Sequence, residues 1–312
     1  MAKFRVVVSD LVFADVDVER ELIEEAGGEL VVARDREDAL ALMRDADAVL
    51  NTYMPVGADT IAAMTRVKII ARYGIGVDNV DVAAARAAGI VVTNVPDYCV
   101  EEVAAHAVAL MLALLRRVPQ GDARVRSGGW GVAGLGELHR LSALTVGLLG
   151  SGRIGQRVAQ AVEALGASIV IHDPYLSDVP APRRLVGREE LFATSDVVSV
   201  HCPLTPQTRG MVNAAAMASM RRGSYLVNTS RGPVVVLADV LAALRGGQLG
   251  GAALDVFETE PPDARLLAGA PNLIVTPHMA FLSVEAVRES QRKAVRQVLN
   301  TLRGEPVDYE VR

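Results

Sequence analysis

Residues 145 to 155 read TVGLLGSGRIG, and no other stretch restricts the fold as much. An apolar run leads directly into Gly150-Ser151-Gly152-Arg153-Ile154-Gly155, and the helical pattern of Arg153 to Leu165 follows at once. The next apolar run, SIVIHD, ends in Asp173, eighteen residues after Gly155. In a strand–turn–helix context each glycine of G-x-G-x-x-G has its own physical task. Gly150 permits the tight turn, Gly152 lets the backbone approach a pyrophosphate, and Gly155 lets the helix lie close on the sheet. The helix start then aims its free N–H groups at the phosphates. Asp173 would accept hydrogen bonds from the adenosine ribose and repel a 2′-phosphate, which favours NAD over NADP. Arg183 and Arg184 lie close enough in sequence to oppose that preference.

The same alternation runs through the whole chain. Phe4 to Ser9, ELVVA, AVLN and KIIA are short β-branched or aliphatic runs, with helical patterns near Val16 to Ala26, Asp38 to Arg44 and Asp59 to Met64 between them. A second set comprises TVGLLG, SIVIHD, SDVVSVHCPL, SYLVNTSRG, GAALDVF and NLIVTPH, six strands for a complete doubly wound sheet. Strands alternating with helices make βαβ units and a buried parallel sheet, so the fold class expected is α/β. A composition 51% hydrophobic but only 4% aromatic suits the Ala/Val/Leu cores of such layers. At roughly 150 residues per domain, 312 residues suggest two domains. Val100 to Arg117 reads as a helix with Glu101 and Glu102 in its first turn and two arginines in its last. Ser127 to Leu141 reads as a Gly-rich loop, PAPRR (Pro180 to Arg184) as the most loop-like stretch of the second half, and Ser283 to Arg303 as an amphipathic helix returning to the first domain.

Charge and cysteine content exclude several roles. With 32 Lys and Arg against 37 Asp and Glu, the net charge of −5 attracts neither a phosphate backbone nor an anionic membrane, so no nucleic-acid or membrane partner is expected. Cys99 and Cys202 form no disulfide framework and no C-x-x-C metal spacing, which fits a reducing compartment, the cytoplasm, and no metal. The longest apolar stretch, Val103 to Leu115 around His106, falls short of the roughly 18 to 20 residues of a membrane span.

Three polar residues follow three strands of the second set: Arg231 after SYLVN, Glu260 after ALDVF, and His278 after LIVT. In an open parallel sheet they emerge at the edge that carries the Gly150 turn, beside the nicotinamide end of a dinucleotide. Hydride transfer at a 2-hydroxy acid requires a cation that holds the carboxylate and polarises the carbonyl, which Arg does bidentately. It also requires a group that exchanges the hydroxyl proton near neutral pH, the work of His. A carboxylate beside an imidazole favours its protonated form and fixes its tautomer, and Glu260 is placed to supply one. His106 and His139 lack comparable partners in the sequence, His201 is read as bordering the cofactor, and neither cysteine has a triad-like setting.

At these residues the sequence resembles the NAD-dependent D-isomer-specific 2-hydroxyacid dehydrogenases, a family that includes phosphoglycerate dehydrogenases, glyoxylate/hydroxypyruvate reductases and corepressor proteins. The resemblance covers nearly the whole chain and is carried by YGIGVDNVD (Tyr73 to Asp81), GSGRIG, VSVHCPLTPQT, NTSRG, ALDVFETEPP and TPH. It implies Arg231, Glu260 and His278 as catalytic residues. It also implies NAD contacts at Arg153, Ile154, Asp173, Cys202, Thr229, Ser230 and Asp255, the last at the nicotinamide amide. Ile75 and Gly76 match backbone groups that hold the substrate carboxylate, and Arg72 a basic residue that faces substrate. The implied fold is a Rossmann sheet, residues 99 to 283, inserted into a flavodoxin-like substrate domain of residues 1 to 98 and 284 to 312, hinged so that a cleft closes over the reactants. Homodimers are usual in the family, and the stretch around Trp130 matches its dimer-forming extension.

Two departures bear on substrate. On the loop after the third strand the chain has Asn51-Thr52-Tyr53-Met54, where phosphoglycerate dehydrogenases tend to carry a second basic residue, so Asn51 is expected at the substrate in place of a phosphate-holding charge. After His278 the chain reads Met279-Ala280-Phe281-Leu282-Ser283, similar to the corepressor-like branch, which implies an apolar or aromatic pocket wall. Formate dehydrogenases of this superfamily place Gln where Glu260 stands. Two functions follow as expectations: an NAD-dependent D-2-hydroxyacid dehydrogenase, or an NAD(H)-sensing dimeric binding protein with little turnover.

Overall fold

The computed structural model describes residues 3–311 and divides into two compact units, residues 3–99 with 282–311, and Val100–Phe281. The first unit begins β1 (Arg5–Val8), α1 (Asp17–Glu25), β2 (Glu29–Val32), α2 (Arg36–Met43), β3 (Ala48–Asn51), α3 (Ala58–Ala62), β4 (Ile69–Arg72), α4 (Val82–Ala87) and β5 (Val91–Thr93). Its strands are all parallel in the order β2-β1-β3-β4-β5, the flavodoxin-like arrangement. Alternate side chains of these strands point to opposite faces, and both faces are covered. Val7, Val49, Ile70 and Val92 pack against Ala39, Met43, Ile61 and Ala85 of α2, α3 and α4. Val6, Val8, Leu50 and Ile69 meet Ile23 of α1 and Ala294, Val295 and Val298 of the C-terminal helix. Two covered faces explain why the strands read as unbroken apolar runs.

The second unit contains α5 (Val100–Leu115), α6 (Val118–Arg126), β6 (Thr145–Leu149), α7 (Arg153–Ala164), β7 (Ser168–His172), β8 (Arg184–Leu185), α8 (Arg188–Thr194), β9 (Val197–Val200), α9 (Ala214–Ser219), β10 (Ser224–Asn228), α10 (Leu237–Arg245), β11 (Leu249–Leu254), α11 (Ala264–Leu267) and β12 (Leu273–Val275). The final helix, α12 (Val284–Arg303), belongs to the first unit. Seven parallel strands run in the order β12-β11-β10-β9-β6-β7-β8, and the direction of winding reverses between β6 and β9. Helices α5 and α7 cover one face, through Ala107, Leu110, Met111, Val158 and Val162 against Val146, Leu148 and Ile169. Residues of α8, α9 and α10, among them Leu191, Met217 and Val240, cover the other. The chain is thus an α/β protein with a Rossmann doubly wound sheet and a flavodoxin-like sheet. Among the described residues no helix is long and apolar enough to cross a membrane.

One local expectation changes. Arg184, at the end of PAPRR, pairs with Val170 and begins β8, a seventh strand at the sheet edge, because a two-residue strand leaves no period to read. Helix α6 carries no signal in the sequence, because it buries none of its residues and no apolar stripe marks it; its proline stands in the first helical turn, where it sacrifices no hydrogen bond.

Inside the first unit Glu19 of α1 is fully buried and accepts a hydrogen bond from Tyr73 Oη at 2.8 Å. Burial pushes its carboxyl above the ordinary range, with the Tyr73 hydrogen bond opposing. A carboxyl whose pKa is higher folded than unfolded holds its proton longer in the folded state. Stability therefore falls as pH rises from the unfolded value to the folded one and stays reduced above it. Glu19→Gln, which never ionises, is expected to raise the melting temperature relative to wild type by about 2–4 °C, the shift for ~1 kcal/mol, at pH 7.5 and by much less at pH 4. Calorimetry at the two pH values checks this.

Candidate active site

At the reversal between β6 and β9 the turns after both strands press together. Gly150 has φ +97°, and a Cβ there would lie 2.7 Å from the Cys202 nitrogen, so only glycine fits the turn. A Cβ on Gly155 would lie 2.6 Å from the Gly150 carbonyl oxygen, which sets how closely α7 rests on the sheet. Gly152, the residue before α7, faces open space and no side chain caps the helix start, leaving Arg153 and Ile154 as its first turn. Asp173, just past β7, accepts from the Ser151 N–H at 2.9 Å and the Tyr175 N–H at 3.0 Å, so its carboxylate stands beside the glycine turn. Neither neighbouring arginine is uncommitted: Arg183 forks onto Glu163 at 2.8 and 2.7 Å, and Arg184 reaches Glu190 at 2.5 Å. The buried hydroxyl of Thr229 has no hydrogen-bond partner, while Ser230 Oγ donates to the Cys202 carbonyl. An uncapped helix start, an open glycine turn, an adjacent carboxylate and an unsatisfied hydroxyl are the donor and acceptor set that a dinucleotide fits. Burial pushes the Cys202 thiol up to about 11, which removes it as a nucleophile, and pushes His201 down to about 4, a neutral ring 2.9 Å from Ser199 Oγ.

On the same C-terminal edge, the turn after β10 is shaped by the residues flanking Arg231. Asn228, fully buried, accepts from the Ser230 N–H and donates to the Arg231 carbonyl, both at 3.0 Å. A Cβ on Gly232 would collide with the Phe257 carbonyl oxygen, so glycine there lets the turn lie against the end of β11. Glu260 Oε1 accepts from the Phe257 N–H at 2.9 Å, and Glu260 Oε2 lies 2.7 Å from His278 Nδ1. Burial pushes the Glu260 carboxyl up, but the His278 hydrogen bond and charge, the Phe257 N–H and the Arg231 charge together hold it below its ordinary value. Glu260 is therefore an acceptor carboxylate at neutral pH. His278 sits in the left-handed region, φ 53°, with its N–H shared between the carbonyls of Asp255 and Thr276 at 2.8 and 3.1 Å. The Phe281 ring meets its imidazole edge-on, centroids 6.3 Å apart.

Asp255, 1% exposed, accepts from Thr276 Oγ1 at 2.6 Å, the Met279 N–H at 2.9 Å and the Ala280 N–H at 3.0 Å. Its carboxylate thus holds the loop around His278, a role the sequence did not suggest. His106, which had no partner in the sequence reading, lies 3.1 Å from Thr276 Oγ1. The signal was absent because the two are 170 residues apart.

The expected substrate residues Asn51, Arg72, Ile75 and Gly76 belong to the first unit. Asn51 is fully buried: its amide donates to Ser9 Oγ and the Met54 carbonyl, and its oxygen accepts from Asn79 at 2.9 Å. Arg72 is also buried, and its guanidinium donates to the carbonyls of Gly76 and Thr52, bracing two loops. Both end strands whose neighbouring positions face the core, and strand period does not tell a brace from a ligand contact. Asn94 donates to the Ile75 carbonyl at 2.6 Å, and Asp10 accepts from the N–H groups of Thr52, Tyr53 and Met54. Asp10 and Asn94 escaped the sequence reading because each acts on a loop far along the chain.

Residues 108–280 match the family model described as D-isomer specific 2-hydroxyacid dehydrogenase, NAD binding domain. The D-3-phosphoglycerate dehydrogenase of Mycobacterium bovis is 39% identical over 275 residues, 87% of this chain and 52% of that protein. The chain spans about half the length of that relative. The glycerate dehydrogenase of Methylorubrum extorquens is 36% identical over 278 residues, 86% of this chain and 87% of that protein. A crystal structure of a Thermus thermophilus protein matches with a TM-score of 0.90 and 35% identity, covering 99% of this chain and 100% of that one. With its glycine turn, strand-end residues and these relatives together, the chain belongs to the D-isomer specific 2-hydroxyacid dehydrogenase family. NAD is its cofactor.

Asp255→Ala leaves three donors without their acceptor and is expected to lower unfolding stability by about 2–4 kcal/mol. Denaturant unfolding checks this, and a loss well below ~1 kcal/mol would show that the loop does not depend on the carboxylate.

Proposed function

We propose that the chain catalyses reversible hydride transfer between NAD and a small D-2-hydroxy acid or its 2-oxo acid. The observation that carries this reading is the 2.7 Å contact between His278 Nδ1 and an ionised Glu260, on the sheet edge shared with the glycine turn and Arg231. A carboxylate at Nδ1 keeps a proton on that nitrogen and leaves Nε2 to exchange the proton of the substrate hydroxyl. Arg231 pairs with the substrate carboxylate and polarises the C2 carbonyl. Bound NAD supplies the hydride acceptor or donor. In the same reading the N–H groups of Arg153 and Ile154 at the start of α7 hold the pyrophosphate, Asp173 the ribose, and Thr229, Ser230, Cys202 and Asp255 line the cofactor. Ile75 and Gly76 are assigned to the substrate carboxylate, and Arg72 and Asn51 to the substrate as well, besides keeping their loops in shape. The relatives above are named for phosphoglycerate and for glycerate, which makes hydroxypyruvate and its phosphate the first substrates to try.

A second copy of the chain completes the proposal. Helix α6 buries nothing, Trp130 and Val132 are 87% and 83% exposed, and Val118 and Val125 are exposed beside them in sequence. Large apolar side chains gathered on one stretch mark an interface, here that of a homodimer.

The purified protein is expected to oxidise NADH with 2-oxo acids. His278→Ala should reduce kcat by about 10²–10⁴-fold while NADH binding, followed by fluorescence, is unchanged, and Arg231→Ala should lose comparable activity. Wild-type protein that binds NADH and dimerises but turns over none of a 2-oxo acid panel would instead be an NAD(H)-sensing binding protein. Trp130→Glu should shift sedimentation from dimer to monomer, and an undisturbed dimer would move the interface elsewhere.

A further inference from the structure

We propose that His106 is a positioning residue for the catalytic loop, donating a hydrogen bond that locks Thr276 and Asp255 around His278. This rests on the reading of His278 as the acid/base. The inference follows from counting protons. Thr276 Oγ1 lies 2.6 Å from Asp255 Oδ1, and a carboxylate only accepts, so the single hydroxyl proton of Thr276 is committed to Asp255. His106 Nε2 lies 3.1 Å from the same Oγ1, which has only lone pairs left to offer. The ring must donate: His106 carries its proton on Nε2, and the direction of the chain is His106 to Thr276 to Asp255. The same nitrogen lies 3.6 Å from Asp255 Oδ1, beyond a hydrogen bond but near enough for its N–H dipole to stabilise the carboxylate.

What this chain holds is the loop that carries His278. Asp255 grips the loop on one side of His278 through Thr276 and on the other through the Met279 and Ala280 N–H groups. Between these grips His278 adopts φ 53°, a left-handed conformation costly for a residue with a side chain and kept only where its surroundings over-determine it. His106 contributes an anchor that does not move with the loop. It stands on α5, whose neighbouring residues Ala104, Ala107, Leu110 and Met111 are packed in the sheet core. Without the donor, Thr276 is held by Asp255 alone, the grip on one side of His278 loosens, and the imidazole shifts against Glu260. The glycine turn and Asp173, assigned to the pyrophosphate and ribose, share none of these bonds, so the effect falls more on turnover than on NADH affinity.

The test compares His106→Leu, which removes the donor, with His106→Gln, which returns an N–H close to the Nε2 position. Expected for His106→Leu is a ~10- to 100-fold fall in kcat, the cost of a small misplacement of a reacting group, with a much smaller change in NADH affinity by fluorescence titration. His106→Gln should restore most of the lost rate. Imidazole nitrogen-15 spectra of the wild type should show His106 as the Nε2–H tautomer, with the His278 ring signals displaced in His106→Leu and restored in His106→Gln. Wild-type kcat in His106→Leu, a His106→Gln rate as low as that of Leu, or an Nδ1–H tautomer for His106 would each overturn the proposal. Should His106→Leu fail to fold, His106→Phe keeps a ring without the donor and is read identically. Full activity in His278→Ala would discard the acid/base reading itself. An inactive His278→Ala beside an unimpaired His106→Leu would discard only this inference.

Discussion

A parallel strand covered on both faces has no room for a charged side chain along its length, so polar chemistry is confined to its ends. That constraint governs both units. In the second, parallel pairing from β12 to β8 sends every C-terminal end to one edge, and the reversal between β6 and β9 opens that edge where the Gly150 turn meets Cys202. Residues more than a hundred positions apart, Gly150 and His278 among them, are brought to one rim by sheet geometry alone.

Placement at a rim does not orient a side chain, and orientation comes from polar residues that close the turns. Asn228 binds both sides of the turn that carries Arg231, Gly232 lets that turn rest on Phe257, and Asp255 secures three donors of the loop that carries His278. The first unit uses the same device: Asp10 gathers the N–H groups after β3, and Arg72 ties that loop to Gly76. These braces bind at short range, and their loss leaves polar groups without their partners.

Sheets were legible in the sequence because a buried parallel strand repeats one apolar signal, and the strand-end position of Arg231, Glu260 and His278 followed from it. The glycine turn was legible because strand, spacing, helix and Asp173 agree. What could not be read was direction and distance. Asn51 and Arg72 stand at strand ends, and that place gave no sign of their bonds to the loop carbonyls of Met54, Thr52 and Gly76. His106 sits in an apolar helix and looks like an isolated core residue until Thr276 folds against it. Helix α6 has no buried face to impose a period, and β8 is too short to show one.

The account depends on His278 Nε2 facing the reacting carbon of a 2-oxo acid while Nδ1 remains on Glu260. A crystal structure of the protein with NADH and oxamate, an unreactive analogue of a 2-oxo acid, tests this most directly. The expected result is Nε2 within about 3.2 Å of the oxamate amide carbonyl oxygen, with the Arg231 guanidinium on the adjacent carboxylate. Oxamate bound elsewhere, or His278 turned to solvent with Arg231 remote from the ligand, would contradict it.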